Sequence, residues 1–269
     1  MIILVLLLLV LAVLGIYVLL VMPSRNDKIN DFVGARYAHR GLHDDKIPEN
    51  SMAAFEKACE MGFGIELDVR LSSDEKLVVF HDEALDRMVG VHGSTADYTA
   101  VELAGMSLKG SDEGIPQLKD VLKMVNGRVP LLIEIKETAK EKSVATVLAM
   151  LLRSYEGPYI VESFNPTSLS RFAKVLPHVP RGILSHSYRK YPETQGFVFF
   201  LLEFMLFNRL ARPCFVAFRQ KHANNNPSFH IARLLGASTF AWTVRSAEEE
   251  KEALKAGFDT VIFEGYIPE

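Results

Sequence analysis

Hydrophobic and polar positions divide the chain into one long apolar run followed by many short ones. Residues Met1–Met22 carry no charged side chain and are mostly Leu, Val and Ile. At about 1.5 Å per residue, a helix of this length reaches roughly 33 Å, enough to cross a hydrocarbon layer of about 30 Å. No Lys or Arg precedes the run, and Pro23 and Ser24 follow it, so a cleaved signal peptide is the less favoured reading. The pattern predicts a retained transmembrane anchor over residues 1–22.

After residue 34, short apolar runs alternate with stretches of helical periodicity. Candidate strands are Arg36–Ala38, Gly64–Val69, Leu131–Ile135, Tyr159–Val161, Arg181–Leu184, Cys214–Ala217, Thr239–Thr243 and Thr260–Phe263. Candidate helices are Ser51–Glu60, Gln117–Met124, Lys142–Arg153, Thr167–Val175, Ser228–Leu235 and Ala247–Lys255. This alternation predicts a TIM-type (β/α)₈ barrel over residues 35–269, joined to the anchor by a linker at 23–34. An open doubly wound sheet is the alternative, because strand order cannot be read from the sequence.

One apolar run, Leu77–Phe80, breaks this rhythm. The polar turn that separates it from Gly64–Val69 is too short to contain a crossover helix. The run must therefore return antiparallel, as a small hairpin insertion. A turn centred near Asp74 would set residues 66–68 opposite residues 80–82.

Composition and charge limit the partners and the compartment. With 30 basic and 33 acidic residues, the chain has a formal net charge of −3, which argues against a nucleic-acid partner. The two cysteines, Cys59 and Cys214, are far apart in apolar surroundings, so we expect buried free thiols. Arg25, Lys28 and Arg36 follow the anchor, and the positive-inside rule then predicts a cytoplasmic barrel domain.

Two carboxylates interrupt the second candidate strand. Glu66 and Asp68 are two residues apart, so strand alternation directs both to one face and the neighbouring apolar residues to the other. Two inward carboxylates repel each other unless a cation lies between them. Oxygen ligands alone favour Mg²⁺ or Ca²⁺. The alternative is a set of salt bridges inside the barrel.

The next candidate strand repeats this pattern with Glu134 and Lys136. Glu134 is a suitable third metal ligand, and Lys136 is a cation suited to a phosphoryl oxygen. An internal Glu–Lys pair would explain this strand alone. It would not explain why two consecutive strands both direct charged residues inward.

Histidines follow two of the strands. The sequence His39-Arg40-Gly41 closes the first strand, where a barrel directs side chains into the active-site mouth. The guanidinium of Arg40 suits phosphate oxygens. His39 and His81 together can provide a general acid and a general base near neutral pH. Each histidine alone is equally consistent with a structural role.

The chain resembles a known family, the glycerophosphodiester phosphodiesterases. Matches in the same order and spacing extend from Ala38 to about Val244. They are His-Arg-Gly at 39–41, Pro-Glu-Asn-Ser at 48–51, Ala54-Phe55, Gly62, Glu66-Leu-Asp68-Val, Asp74, Val78–Asp82, Leu85-Asp86-Arg87, Ile115-Pro116, Glu134-Ile-Lys136, Ser163-Phe164-Asn165 and Ala241-Trp242-Thr243-Val244.

The resemblance implies a TIM barrel with one divalent cation, Mg²⁺ or Ca²⁺. The implied site residues are the metal ligands Glu66, Asp68 and Glu134, the acid–base pair His39 and His81, and the substrate-binding residues Arg40, Lys136 and Trp242. The implied reaction releases the alcohol of a glycerophosphodiester or lysophospholipid and leaves a phosphomonoester, glycerol 3-phosphate or lysophosphatidic acid. In related enzymes a substrate hydroxyl attacks first and forms a cyclic phosphate.

Three features depart from the family pattern. Arg245 stands where the family usually has Asn, and Phe263-Glu264-Gly265-Tyr266 replaces an end that contains Thr-Asp. The chain also stops six residues after the last candidate strand, which predicts that the final barrel helix is missing. These departures concern the substrate rim near the eighth strand.

Residues 196–210 read GFVFFLLEFMLFNRL, apolar nearly all round except for Glu203. The run is too short to span a bilayer, and an outer barrel helix buries only one face. Flanking cations suited to anionic lipid head groups are Arg189, Lys190, Arg209 and Arg212. We hypothesise that the segment enters the membrane beside the active site and gives access to lysophospholipids. The alternative is an ordinary helix covered by the N-terminal segment or by a dimer partner.

Two other functions fit the same barrel. Phospholipase C and sphingomyelinase D-like enzymes also use a histidine pair, and they yield a cyclic phosphate. A non-catalytic, membrane-tethered lipid-binding barrel predicts damage to the site residues, and the sequence shows none.

Overall fold

Eight parallel strands form a closed barrel in a computed structural model, which describes residues 1–137 and 144–269. The strands are β1 (Arg36–Ala38), β2 (Gly64–Leu71), β3 (Leu77–Val79), β4 (Leu131–Ile135), β5 (Tyr159–Ser163), β6 (Arg181–Ser185), β7 (Phe215–Arg219), β8 (Ser238–Val244) and β9 (Thr260–Phe263). All except β3 are parallel, and β1 pairs with both β2 and β9, which closes the barrel. The TIM-type prediction is confirmed, and the open sheet is excluded.

Helices lie around this barrel. They are α1 (Ile2–Val21), α2 (Met52–Glu60), α3 (Asp86–Val89), α4 (Ala100–Ala104), α5 (Leu118–Val125), α6 (Val144–Leu152), α7 (Pro166–Val175), α8 (Phe197–Glu203), α9 (Asn208–Ala211), α10 (Gln220–Ala223), α11 (Pro227–Leu234) and α12 (Ala247–Lys255). Each of the six predicted helices is present within a few residues. Lys142 and Ser143, at the start of one of them, lie outside the described residues. Residues 264–269 contain no helix.

Strand alternation separates two apolar layers. Ile65 and Leu67 of β2 point outward and pack against the helices, whereas Glu66 and Asp68 point inward. Toward the amino-terminal end of the strands, aromatic rings fill the barrel interior, and the ring centroids of Phe215 and Phe240 lie 4.6 Å apart. Gly182 leaves space for Phe215, because a Cβ there would lie 2.0 Å from that ring.

The segment predicted as a linker packs against this interior. Asp27–Asp31 form a 3₁₀ helix, and the buried side chains of Ile29 and Phe32 join the aromatic cluster. The Tyr37 hydroxyl donates a hydrogen bond to the Phe32 carbonyl at 3.4 Å. The segment therefore contributes to the core at the amino-terminal end of the strands.

Helix α2 shows how the capping signals act, and it corrects one sequence expectation. The Ser51 hydroxyl accepts a hydrogen bond from the Ala54 amide at 3.2 Å, which begins the helix. Phe55 and Ala58 are fully buried, but Cys59 is only partly buried because it lies at the edge of the packed face. Both cysteines are free, and of the two only Cys214 is fully buried as expected.

The hairpin has the predicted register. Val69 pairs with Val79, and the Phe80 amide donates a hydrogen bond to the Asp68 carbonyl at 3.0 Å. This pairing brings the segment that follows β3 to the carboxylates of β2.

The N-terminal helix α1 contacts the barrel only near its end. Val21 is fully buried, Asn208 Nδ2 donates to its carbonyl at 2.8 Å, and Tyr17 and Ser228 share a hydrogen bond. Most of the preceding apolar side chains are exposed. Among the described residues, α1 is the one helix that is long and apolar enough to cross a membrane, with a mean hydropathy of 3.4. A signal sequence would also have these properties.

Candidate active site

A pocket of about 260 Å³ opens at the carboxyl ends of the strands. It gathers seven of the eight site residues expected from the sequence: His39, Arg40, Glu66, His81, Glu134, Lys136 and Trp242. The eighth, Asp68, lies buried beside them, with its Oδ1 3.2 Å from Lys136 Nζ. In a parallel barrel, this is the face at which inward strand residues meet the loops.

Three buried carboxylates form one cluster. Ligand atoms of Glu66, Asp68 and Glu134 lie within 4.8 Å of one another, and Asp68 is the register partner of Glu134 on the next strand. Burial and mutual repulsion raise the pKa of Glu66 well above its usual range and that of Glu134 to about 7. Burial would also raise the Asp68 pKa, but Lys136, His81 and Arg40 hold it well below its usual range.

This cluster fits a hard divalent cation. All its ligand atoms are carboxylate oxygens, and Asp68 Oδ1 accepts no hydrogen bond despite its ion pair with Lys136. A cation here would relieve the repulsion that raises the pKa values of Glu66 and Glu134.

The turn after β1 holds Arg40 at the cluster. Its backbone adopts a left-handed conformation with φ 57°, and its amide donates to Glu66 Oε2 at 2.9 Å. The guanidinium donates to Glu49 at 2.7 Å, while Arg40 Nε is buried without a hydrogen-bond partner. The next residue, Gly41, has φ 80° and packs so closely on Ala54 that a Cβ would lie 2.9 Å from the Ala54 Cβ. The turn therefore places the Arg40 guanidinium in the pocket lining, with its Nε 3.5 Å from Asp68 Oδ2.

A second network connects Arg40 to His81. Glu49 accepts hydrogen bonds from both Arg40 and Arg87, each at 2.7 Å. Arg87 also donates to Asp82, which lies 2.6 Å from His81 Nδ1. These contacts explain why the Pro-Glu-Asn-Ser and Leu-Asp-Arg motifs accompany the site although neither lines the pocket.

Both histidines are oriented in the same way. His39 Nδ1 lies 2.7 Å from Glu264, and the pKa values of Glu264 and Asp82 are both lowered to about 2. Because ionised carboxylates only accept hydrogen bonds, each Nδ1–H donates and Nε2 is left for substrate. Burial lowers the His39 pKa against the opposing effect of Glu264, and burial lowers that of His81 to about 4.

An aromatic wall closes one side of the pocket. The rings of Phe164 and Trp242 meet edge to face with centroids 5.5 Å apart. Lys136 Nζ lies 6.0 Å from the Phe164 centroid. The wall provides an apolar surface beside the cationic groups, where the carbon skeleton of a small substrate can pack.

The sequence interpretation assigned no site role to Glu162 and Arg219, which line this pocket, or to Glu264, which contacts His39. Glu162 is fully buried, and burial together with Glu66 and Glu134 raises its pKa well above its usual range. The alternation of Tyr159–Ser163 carries the same inward-carboxylate signal that identified the site residues of β2. Arg219 ends β7 and Glu264 follows β9. Glu264 lies in a segment that departs from the family pattern, but no local pattern indicates its contact with His39.

Comparisons with known proteins agree with this geometry. The model of the glycerophosphoryl diester phosphodiesterase family matches residues 39–265. The chain is 33% identical over 245 residues to a glycerophosphodiester phosphodiesterase of Caldanaerobacter subterraneus, covering 84% of this chain and 91% of that protein. A human lysophospholipase D is 34% identical over 118 residues, covering 39% of this chain and 37% of that protein.

Solved structures show the same fold. A phosphodiesterase of Oleispira antarctica, in complex with the product sn-glycerol-3-phosphate, has a TM-score of 0.73 at 20% identity, covering 87% of this chain and 94% of that one. A glycerophosphodiester phosphodiesterase of Thermotoga maritima has a TM-score of 0.66 at 28% identity, covering 85% and 94%.

Proposed function

We propose a specific reaction for this chain. The chain belongs to the glycerophosphoryl diester phosphodiesterase family and is an enzyme that hydrolyses glycerophosphodiesters. The reaction is metal-dependent. It releases the head-group alcohol and leaves glycerol 3-phosphate, or lysophosphatidic acid when the substrate is a lysophospholipid. The observation that supports it is the meeting of three buried carboxylates with two carboxylate-oriented histidines in one pocket.

Glu66, Asp68 and Glu134 hold one divalent cation, Mg²⁺ or Ca²⁺. A bound cation of this kind polarises phosphoryl oxygens and offsets the charge that develops on them. Arg40 and Lys136 bind the same phosphate from the protein side. Both residues line the pocket, and Arg40 Nε makes no hydrogen bond within the protein, only an ion pair with Asp68 at 3.5 Å, so it can donate to a phosphate oxygen.

His39 and His81 carry out the proton transfers. One histidine accepts a proton at Nε2 from the attacking hydroxyl, of water or of the substrate, while the other donates a proton to the leaving head-group oxygen. The bond from phosphorus to the head group breaks as the bond to the attacking oxygen forms. Attack by water gives the phosphomonoester directly, whereas attack by a substrate hydroxyl gives a cyclic phosphate that a water molecule then opens to the phosphomonoester. Trp242 packs against the substrate carbons beside the phosphate.

The enzyme works at a membrane surface. In this proposal residues 1–22 are a single-pass anchor, 23–34 a linker and 35–269 the phosphodiesterase domain, which lies on the cytoplasmic side. Helix α8 leaves Phe197 75% and Phe200 52% exposed. The N-terminal helix packs on α9 rather than over these side chains, which supports contact between α8 and lipid.

Head-group release tests the proposal. Wild type and Glu66→Ala are assayed with glycerophosphocholine and lysophosphatidylcholine, with and without EDTA, and phosphorus NMR identifies the product. We expect metal-dependent release by wild type, a phosphomonoester product and no release by the variant. A stable cyclic phosphate would indicate phospholipase C-like chemistry. No release by folded, metal-supplied wild type would contradict the proposal and favour a lipid-binding barrel.

A further inference from the structure

A second pocket lies directly beside the catalytic pocket and is almost entirely apolar. It is a groove of about 460 Å³ between the start of α7 and the α8–α9 segment, within the size range of ligand sites. Its main apolar lining residues are Pro166, Tyr188, Val198, Phe199, Leu202 and Leu210. The ring of Phe164 lines both pockets.

Phe164 forms a wall that the two pockets share. Lys136, which pairs with Asp68 and Glu134, has its Nζ 6.0 Å from the Phe164 centroid. A substrate whose phosphate contacts Lys136 can therefore extend around Phe164 into the groove through a three-carbon glycerol backbone. We propose that this groove binds the acyl chain of a lysophospholipid, a subsite that rests on the phosphodiesterase function proposed above.

The position of the membrane anchor favours a lipid occupant. Asn208 Nδ2 holds the carbonyl of Val21 at the end of the transmembrane helix, and Leu210 of the same short helix α9 lines the groove. The groove therefore lies close to the point where the anchor meets the barrel. Val198, on its rim, is 59% exposed, so the groove is accessible from outside. A single-chain lipid can enter from the bilayer surface without crossing the cationic mouth of the catalytic pocket.

Polar contacts on the inner side of α8 keep the groove formed. Glu203 is buried and lies 2.9 Å from Arg189 Nε, and its backbone carbonyl accepts a hydrogen bond from Asn226 at 2.8 Å. The Leu202 carbonyl accepts a hydrogen bond from Ser185 at 3.3 Å. Glu203 thus fixes the helix. A groove held open in this way binds an apolar chain without first reorganising.

Chain-length dependence tests the subsite. The full-length protein in lipid nanodiscs is assayed with monomeric lysophosphatidylcholines of increasing acyl length, and glycerophosphocholine is the chain-free reference. Burial of apolar surface should lower KM by up to about fourfold per added methylene until the groove is filled. Val198→Asp introduces a charge at the rim of the groove and should remove most of this dependence. Phe197→Asp, an exposed position of the same helix outside the groove, should retain it.

Binding without turnover separates the subsite from the reaction. Calorimetry in EDTA measures lysophosphatidylcholine binding to wild type and both variants, and we expect weaker binding only for Val198→Asp. Equal dependence on chain length in Val198→Asp and wild type, with glycerophosphocholine still hydrolysed, would overturn the acyl subsite and leave the phosphodiesterase proposal intact. Chain-length-dependent binding with no hydrolysis of any substrate would instead contradict the phosphodiesterase proposal and support the subsite.

Discussion

His39 and Glu264 form a partly buried pair in which the carboxylate lies 2.7 Å from the ring Nδ1. Arg245 contacts the same carboxylate at 3.0 Å. Glu264 and Arg245 belong to two of the departures from the family pattern, and in the structure they form an ion pair. The departures therefore provide the group that orients a candidate catalytic histidine.

The first prediction concerns this pair. Glu264→Gln should lower kcat by about 10- to 100-fold, because the ring loses an ionised partner that fixes its orientation. The negative charge of Glu264 also favours protonated His39, so its removal should lower the His39 pKa further and move the acid limb of the pH–rate profile to lower pH. Glu248→Gln, an exposed glutamate on α12, is the control and should change neither. An unchanged profile in Glu264→Gln would show that the contact does not orient His39.

The second prediction concerns the carboxylate cluster. Adding Mg²⁺ or Ca²⁺ at about 100 times Kd should stabilise the fold by about 2.7 kcal/mol, because the cation binds the folded state. Glu66→Gln should remove this stabilisation and lower kcat at least about a hundredfold. Thermal unfolding with and without EDTA measures the effect, and the exposed Glu60→Gln serves as control. Equal stabilisation of wild type and Glu66→Gln would exclude the cluster as the metal site.

The third prediction separates catalysis from folding. His39→Gln and His81→Gln should each lower kcat by about 10²- to 10⁴-fold, the usual effect of losing a positioned acid or base. The metal-induced rise in Tm should persist, because neither ring is a proposed ligand. The control is His92→Gln, whose ring is 99% exposed outside the pocket. Wild-type turnover in either site variant would remove that histidine from the mechanism.

The fourth prediction concerns α8 and the membrane. A protein lacking residues 1–24 should still bind anionic vesicles, because Phe197 and Phe200 are exposed and flanking cations attract anionic head groups. Phe200→Asp should weaken binding in a vesicle flotation assay, and added salt should weaken it as well. Val101→Asp, an exposed apolar position on α4, is the control. If the protein lacking residues 1–24 does not bind vesicles, with or without Phe200→Asp, membrane contact is made by α1 alone.

The fifth prediction uses the buried carboxylate of Glu49. Burial would raise its pKa, but hydrogen bonds from Arg87 and the charge of Arg40 lower it to about 2. Because the pKa is lower in the folded state, the ionised carboxylate stabilises the fold at pH values above its unfolded-state pKa of about 4.5. This stabilisation is lost as the pH falls toward 2. In Glu49→Gln, the free energy of unfolding should therefore fall less on acidification than in wild type, with a difference of up to about 3 kcal/mol. Urea titrations across this range measure it.

The control for this measurement is Glu56→Gln. Glu56 pairs with Arg128 at 2.6 Å on the surface, where solvent screens the charges. We expect a smaller change in acid dependence for this variant than for Glu49→Gln. Equal changes would show that burial does not strengthen the Glu49 network.

The site residues that were predicted from the alternation within a single strand lie at the pocket, as expected. Glu66, Asp68 and Glu134 were recognisable because strand alternation has a period of two, and a charge at an inward position is conspicuous between apolar neighbours. The hairpin register followed from the length of the polar turn near Asp74. Glu162 carried the same signal within a shorter strand and was overlooked.

Helix α8 shows the limit of such reasoning. The sequence indicated an apolar segment with Glu203 as an interruption, whereas the structure divides it into α8 and α9 and shows Glu203 buried against Arg189. The face that packs and the face that lines a groove depend on neighbouring elements, which periodicity does not specify.

The sequence by itself determined the alternation of strands and helices, the apolar N-terminal helix and the inward carboxylates, because each depends on local spacing along the chain. Only the tertiary structure decided that Glu264 meets His39, that Arg87 connects Glu49 to Asp82, and that Phe164 separates a polar pocket from an apolar one. These contacts join residues distant in the chain. They depend on closure of the barrel, which brings β9 beside β1 and the loops of successive strands around one mouth.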